Sequence, residues 1–248
     1  MRIAGFLGTD FQDDERGLCS MIYLARCNYR CPSCHSKKIV EGEPVYSKNE
    51  VLERLERKKP YIKRVAITGG EPTLQADLPD FLRRLREIGI SVKLDTNGSR
   101  FGVLQELHKE KLVDYVAMDI KGPFSLYWKL TGMEYVDERD DLLKGMCIVQ
   151  RFPDYEYRHT CVPLFEDGRL RWMTREEIEE MARYVVDNTQ NDSHRFYVQR
   201  FVAREKDEML DERFAKENLP QEYWETPARV IDEIYEAIKK YLPNARIR

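Results

Sequence analysis

The chain has 248 residues, of which 42% are hydrophobic and 34% charged, with a formal net charge of −3. That length buries one substantial core and suits a single α/β barrel. The near-balance of charge leaves no broad footprint for nucleic acid. No apolar run approaches the ~18 residues of a membrane helix. Met1–Asp10 lacks the basic-then-apolar pattern of a signal peptide. The expectation is a soluble, cytoplasmic protein with neither a nucleic-acid nor a membrane partner.

In chain order, apolar runs predict strands at 19–26, 63–68, 90–95, 114–119, 156–162 and 195–201. Helical patterns fall between them, at 47–58, 78–88, 101–111, 137–150 and 174–187, with a last helix at about 227–241. Ser47 and Glu50 have capping-box spacing. Leu78, Phe81, Leu82 and Leu85 share one helix face. Thr174 with Glu176 and Glu177 reads as a capped, acid-rich helix start. Strands alternating with helices imply a parallel sheet, and six right-handed units curl into an arc or a closed barrel. Residues 1–248 read as a single domain, with 203–248 a charged C-terminal helical extension.

The unusual polar residues share one location. A cysteine loop follows the first strand, and Thr68-Gly69-Gly70-Glu71-Pro72 follows the second. Asp95-Thr96-Asn97-Gly98 ends the third strand and Asp119-Ile120-Lys121 the fourth. Arg158 lies in the fifth, and Gln199 and Arg200 end the sixth. The carboxyl ends of β/α-barrel strands form the catalytic mouth, so these segments are expected to line one pocket.

Cys27-Asn28-Tyr29-Arg30-Cys31-Pro32-Ser33-Cys34 places three of the six cysteines in eight residues. Such crowding in a chain without need of a disulfide framework points to a metal or cluster. Thiolates suit iron–sulfur clusters and zinc. A four-iron cubane on three cysteines leaves one iron open. Zinc with Cys27, Cys31, Cys34 and His35 is the alternative, although adjacent Cys34 and His35 make an awkward tetrahedral pair. Cys19, Cys147 and Cys161 lie in apolar or strand-like contexts and receive no chemistry.

The loop resembles the CxxxCxxC signature of the radical S-adenosylmethionine (SAM) superfamily, and Gly69-Gly70-Glu71-Pro72 resembles its GGEP motif. The resemblance implies a partial (β/α)6 TIM-like barrel of parallel strands. It also implies a 4Fe–4S cluster on Cys27, Cys31 and Cys34, with SAM chelating the open iron and being cleaved reductively to a 5′-deoxyadenosyl radical. Gly69, Gly70 and Glu71 would hold the methionyl ammonium. Ser33 stands where the family usually has an aromatic residue.

Within the superfamily, Asp95-Thr96-Asn97-Gly98 and Met118-Asp119-Ile120-Lys121 resemble motifs of the glycyl-radical-enzyme activases. The resemblance implies that Asp95 and Asp119 help bind a monovalent cation, that Lys121 contacts the ribose, that Asn97 and Gln199 contact SAM, and that Arg158 meets SAM or a substrate carbonyl, with a barrel-interior ion pair as its plainer reading. Helix capping by Asp95 and a salt bridge between Asp119 and Lys121 are the plainer readings. Val202 stands at the position of an activase histidine.

Over residues 1–202 the chain looks most like activating proteins of anaerobic ribonucleoside-triphosphate reductase. The implied partner is a glycyl radical enzyme whose glycine loses a hydrogen atom, with ferredoxin or flavodoxin as electron donor. Two alternatives stand beside this. One is a small-molecule radical SAM enzyme such as a 7-carboxy-7-deazaguanine synthase. The other is a non-catalytic zinc- or cluster-binding scaffold.

Overall fold

A computed structural model describes residues 1–10, 17–133 and 139–248. The chain forms two compact units, each assembled from separated stretches. The first comprises Met1–Asn28, Lys38–Ala117 and Ile148–Tyr155; the second comprises Tyr29–Lys37, Met118–Cys147 and Glu156–Arg248. Strands alternate with helices in both, which bears out the α/β class.

In the first unit, β1 (Ile3–Asp10) runs antiparallel to β2 (Cys19–Leu24). Short α1 (Lys37–Val40) and then α2 (Lys48–Lys58) lead to β3 (Arg64–Gly69). The chain continues through α3 (Leu78–Glu87), β4 (Ser91–Thr96) and α4 (Phe101–Lys109) to β5 (Tyr115–Asp119). β2, β3 and β4 pair in parallel, with Leu24 opposite Gly69 and Ile67 opposite Leu94. Five of the six β2 residues are buried, as expected of a strand covered on both faces. In α3, Leu78, Phe81, Leu82 and Leu85 are all buried. Each such side chain contributes about 1.5–3 kcal/mol. The Ser47 side chain accepts from Glu50 N–H at 3.2 Å and starts α2, while the Glu50 carboxylate pairs with Arg54.

In the second unit, α5 (Tyr127–Thr131) and α6 (Arg139–Val149) precede β6 (Tyr155–Cys161). A small hairpin of β7 (Leu164–Glu166) and β8 (Arg169–Arg171) follows. Then come α7 (Arg175–Thr189), β9 (Phe196–Arg200), α8 (Ala228–Lys239) and β10 (Arg246–Ile247). β6, β9 and β10 pair in parallel. Thr174 and Glu177 form a complete capping box at α7. Residues 137 and 138 of the expected helix at 137–150 lie outside the described residues.

The C-terminal stretch carries the expected last helix as α8. Helix is confined to α8 and two 3₁₀ turns, Glu212–Phe214 and Gln221–Tyr223. Apart from β10, the remainder is irregular backbone, part of it over a small apolar core of Phe201, Ala203, Met209, Phe214, Ala215 and Leu219. Those apolar residues have no helical period, so burial rather than propensity holds the segment. Among the described residues, no helix is long and apolar enough to cross a membrane.

Candidate functional site

In the first unit, the register of β2, β3 and β4 brings three strand exits to one level. Gly69 has φ of +113°, and a Cβ there would stand 2.5 Å from the Leu24 backbone. A Cβ on Gly70 would collide with the Arg26 carbonyl oxygen. Only glycines permit this approach. Gly70 N–H donates to Leu24 O, and Glu71 N–H to Arg26 O, both at 2.8 Å. The glycine turn is thereby fastened to the chain just before Cys27.

Glu71 is buried, and its carboxylate is turned into the protein. Oε1 accepts from Thr73 N–H at 3.1 Å, from Thr96 Oγ1 at 2.8 Å and from the Thr73 hydroxyl. Oε2 accepts from Asn97 N–H at 2.7 Å. Burial raises its pKa, while the donors from Asn97, Thr73 and Thr96 act in the opposite direction. Glu71 thus fixes the turns after β3 and β4.

Asn97 extends the network to the cysteine loop. Its side-chain amide donates to Asn28 Oδ1 at 2.9 Å and points at Cys27 Sγ across 4.0 Å. Asn28 donates in turn to Ser99 Oγ at 2.8 Å. Asp95 is ion-paired with buried Lys93 at 2.9 Å.

In the second unit, Asp119 lies between two cations. Arg158 Nε meets Oδ1 and Lys121 Nζ meets Oδ2, each at 2.9 Å. Burial opposes the Asp119 charge, yet Arg158 and Lys121 outweigh it and hold the carboxyl well below its ordinary range. Burial likewise opposes the Lys121 charge. Asp119, with smaller contributions from the Cys31 and Cys34 thiols, keeps the ammonium strongly protonated.

Cys27, Cys31 and Cys34 are half-buried, and none of the six cysteines is in a disulfide. Cys34 N–H donates to Cys31 O at 3.0 Å, closing a turn over Pro32 and Ser33. The C-terminal segment meets this turn: Leu210 N–H donates to Cys34 O at 2.8 Å, and Lys37 N–H to Glu208 O at 3.0 Å. A cavity of about 200 Å³ opens beside Pro32 and Ser33, with Trp128, Leu130, Phe165 and Phe214 among its walls. Gln199 is half-buried near the end of β9, opposite Thr160 in register.

Among the described residues, no three His, Cys, Asp or Glu side chains gather closely enough to share one metal ion. Asp95 and Asp119 each have a lysine partner within their own unit. The donor set of the loop is three thiols, two of them in the field of the Lys121 ammonium. A cation beside thiolates suits an anionic, sulfur-ligated cluster.

Thr73, Thr96, Asn28 and Ser99 join this site without any sequence pattern that marks their own roles in it. Thr96 lies inside a recognised motif. Its bond to Glu71 joins residues far apart in sequence, and no local pattern displays such a link.

Residues 21–148 match the family described as the radical SAM superfamily, and the chain belongs to it. A protein of Methanocaldococcus jannaschii, provisionally named a glycyl-radical enzyme activating enzyme, is 31% identical over 256 residues. That alignment covers 99% of this chain and 95% of its relative, which supports the activase branch.

A Pyrococcus horikoshii protein provisionally named GTP 3′,8-cyclase is 34% identical over 123 residues, 48% of this chain and 38% of that one. Among solved structures, Streptococcus suis SuiB bound to the precursor peptide SuiA has a TM-score of 0.63 at 17% identity. The match covers 92% of this chain and 48% of SuiB, so this chain spans about half of that protein's length. The likeness is one of fold, and it agrees with the expected α/β class of mostly parallel strands.

Proposed function

We propose that this protein is a glycyl-radical-enzyme activase that abstracts a hydrogen atom from a glycine of a partner enzyme, such as an anaerobic ribonucleotide reductase. The near-full-length similarity to the Methanocaldococcus jannaschii relative carries this reading. The cyclase match covers only half of the chain, so that half alone does not separate the reaction classes. Cys27, Cys31 and Cys34 would hold a 4Fe–4S cluster. When bound, cluster and SAM together supply the 5′-deoxyadenosyl radical.

The protein's own residues bind and orient. Gly69 and Gly70 offer a close backbone approach to the methionyl group, with Glu71 holding their turn rigid from behind. Lys121 presents a fixed positive charge to the side of Cys31 and Cys34. Arg158 and Asp119 keep it there. Asn97 directs its amide towards the Cys27 sulfur, and such hydrogen bonds tune cluster potentials. Gln199 is a further SAM contact at the end of β9.

A monovalent cation at Asp95 and Asp119 would have to compete with Lys93 and Lys121. The cavity beside Pro32 and Ser33 has room for a side chain of the partner's glycine loop. Holding the glycine Cα–H about 3–3.5 Å from the radical carbon is what the site must achieve. A cytoplasmic location and a ferredoxin or flavodoxin donor complete the proposal.

The test is anaerobic. The protein is reconstituted with iron and sulfide, reduced and given SAM, and 5′-deoxyadenosine is measured. Candidate glycyl radical enzymes are then added, and a glycine-centred paramagnetic signal is sought. The reading predicts both. Deoxyadenosine release with turnover of a purine or pterin substrate, and no glycyl signal, would transfer the protein to the small-molecule class.

A further inference from the structure

We infer that His159 and Tyr184 are positioning residues that aim Lys121 at bound SAM, an inference that rests on the SAM-binding reading above. Lys121 sits on the short exit from β5, between Ile120 and Gly122. Both carbonyls flanking it are held by side chains. The His159 ring nitrogen Nδ1 meets Ile120 O at 2.9 Å, and the Tyr184 hydroxyl donates to Gly122 O at 3.0 Å. Ile120 N–H donates to Arg158 O at 2.7 Å, which ties the exit to β6.

Gly122 lies close against Leu130, whose side-chain tip a Cβ at that position would meet. Tyr184 is itself braced by the Phe124 ring, with centroids 4.6 Å apart. Arg158 and His159 are successive residues of a strand and so project to opposite faces. Arg158 grips the Asp119 carboxylate from one side, and His159 grips the following backbone from the other.

The histidine is otherwise hard to account for. Its partner is a carbonyl, so Nδ1 carries the proton and Nε2 presents a lone pair. Among the described residues Nε2 has no hydrogen-bond partner, and the side chain is fully buried. A buried bare nitrogen works against folding. What histidine supplies and an aliphatic residue would not is the Nδ1–H donor to the Ile120 carbonyl.

The test uses the reconstituted full chain, with SAM binding measured by equilibrium dialysis and folding by thermal melting. His159→Leu is expected to melt within a few degrees of the parent while binding SAM about tenfold more weakly, the loss of one well-placed hydrogen bond. His159→Asn keeps a donor near the Nδ1 position and should recover most of that loss. Tyr184→Phe, which removes one hydroxyl, should weaken SAM in the same direction, and it carries the test if His159→Leu does not fold.

His159→Leu combined with Lys121→Met should be no weaker than Lys121→Met alone. Parent-like affinity in the folded variants, no recovery with asparagine, or additive losses in the double variant would each overturn the inference. A parent protein that binds no SAM would instead overturn the functional reading itself.

Discussion

Asn97 donates its backbone N–H to the Glu71 carboxylate at 2.7 Å. The bond joins the turn after β4 to the turn after β3, and the same asparagine reaches Asn28 through its side chain. The Glu71 carboxylate therefore anchors the turns after β3 and β4 directly and the Asn28 stretch through Asn97.

Removing one donor should be costly out of proportion to the atoms lost. Thr96→Val keeps the volume but strips Oε1 of an accepted bond. A buried carboxylate short of a partner loses about 1–3 kcal/mol. Chemical denaturation should show that loss. SAM affinity should fall with it, because the Gly69–Gly70 turn loosens. Unchanged affinity would separate Glu71 from the SAM site.

The cysteines should divide into two classes. Cys27→Ala, Cys31→Ala and Cys34→Ala are each expected to abolish the iron–sulfur chromophore after reconstitution. Cys161→Ala should retain full iron. Cys161 is buried in β6, and burial pushes its thiol up to about 12, so it is not a ready thiolate. Iron retained by Cys31→Ala would remove that residue from the ligand set.

Two glycine substitutions should have opposite signs. Gly70→Ala drives a methyl into the Arg26 carbonyl oxygen, for which there is no space. Strain of that kind costs about 1–3 kcal/mol or more, and SAM binding should fail with it. Gly102→Ala, in the first turn of α4, meets nothing within 4 Å. It should stabilise the fold by about 0.5–1 kcal/mol. Melting temperatures of the two variants check both signs.

Stability should fall as pH drops from about 6.5 to about 4. Burial holds both His159 and His194 at about 4 when folded. In that window the unfolded chain binds more protons than the folded one, so unfolding becomes easier with acid. The contribution is fully present above the ordinary histidine value and disappears as the pH passes the lowered one. Glu71 has the reverse sign, because its pKa is raised and its ionisation on exposure favours unfolding at higher pH. Replacing His194 with phenylalanine should flatten the acid limb of a melting-temperature profile. An unaltered profile would show that His194 does not titrate there.

The central strands were legible because burial on both faces leaves them as apolar runs. The expected 63–68 and 195–201 became Arg64–Gly69 and Phe196–Arg200. β1 escaped notice because it is an edge strand with two glycines and only Ile3 fully buried. The hairpin of β7 and β8 has Asp167-Gly168 as its single local mark, with φ of 49° and 75°. Its strands have only three residues each, too few to show a period. The motifs of the candidate site stood out by residue type. The inward turn of Glu71 did not, since Thr96 and Asn97 lie a helix and a strand further along. The Asp119–Lys121 salt bridge, two residues apart and so visible in the sequence, is present at 2.9 Å. Arg158, on the same carboxylate, comes from a strand distant in sequence.

The bond from Leu210 N–H to Cys34 O has a bearing on how the protein is made. The cysteine loop leaves the ribosome well before the stretch around Leu210, which lies 176 residues beyond Cys34. Until then the Cys34 carbonyl lacks that partner. A nascent chain could display its three thiols yet would lack the backbone that secures the last of them. Metallation that waits for this fastening would be delayed until the stretch around Leu210 has emerged and folded back.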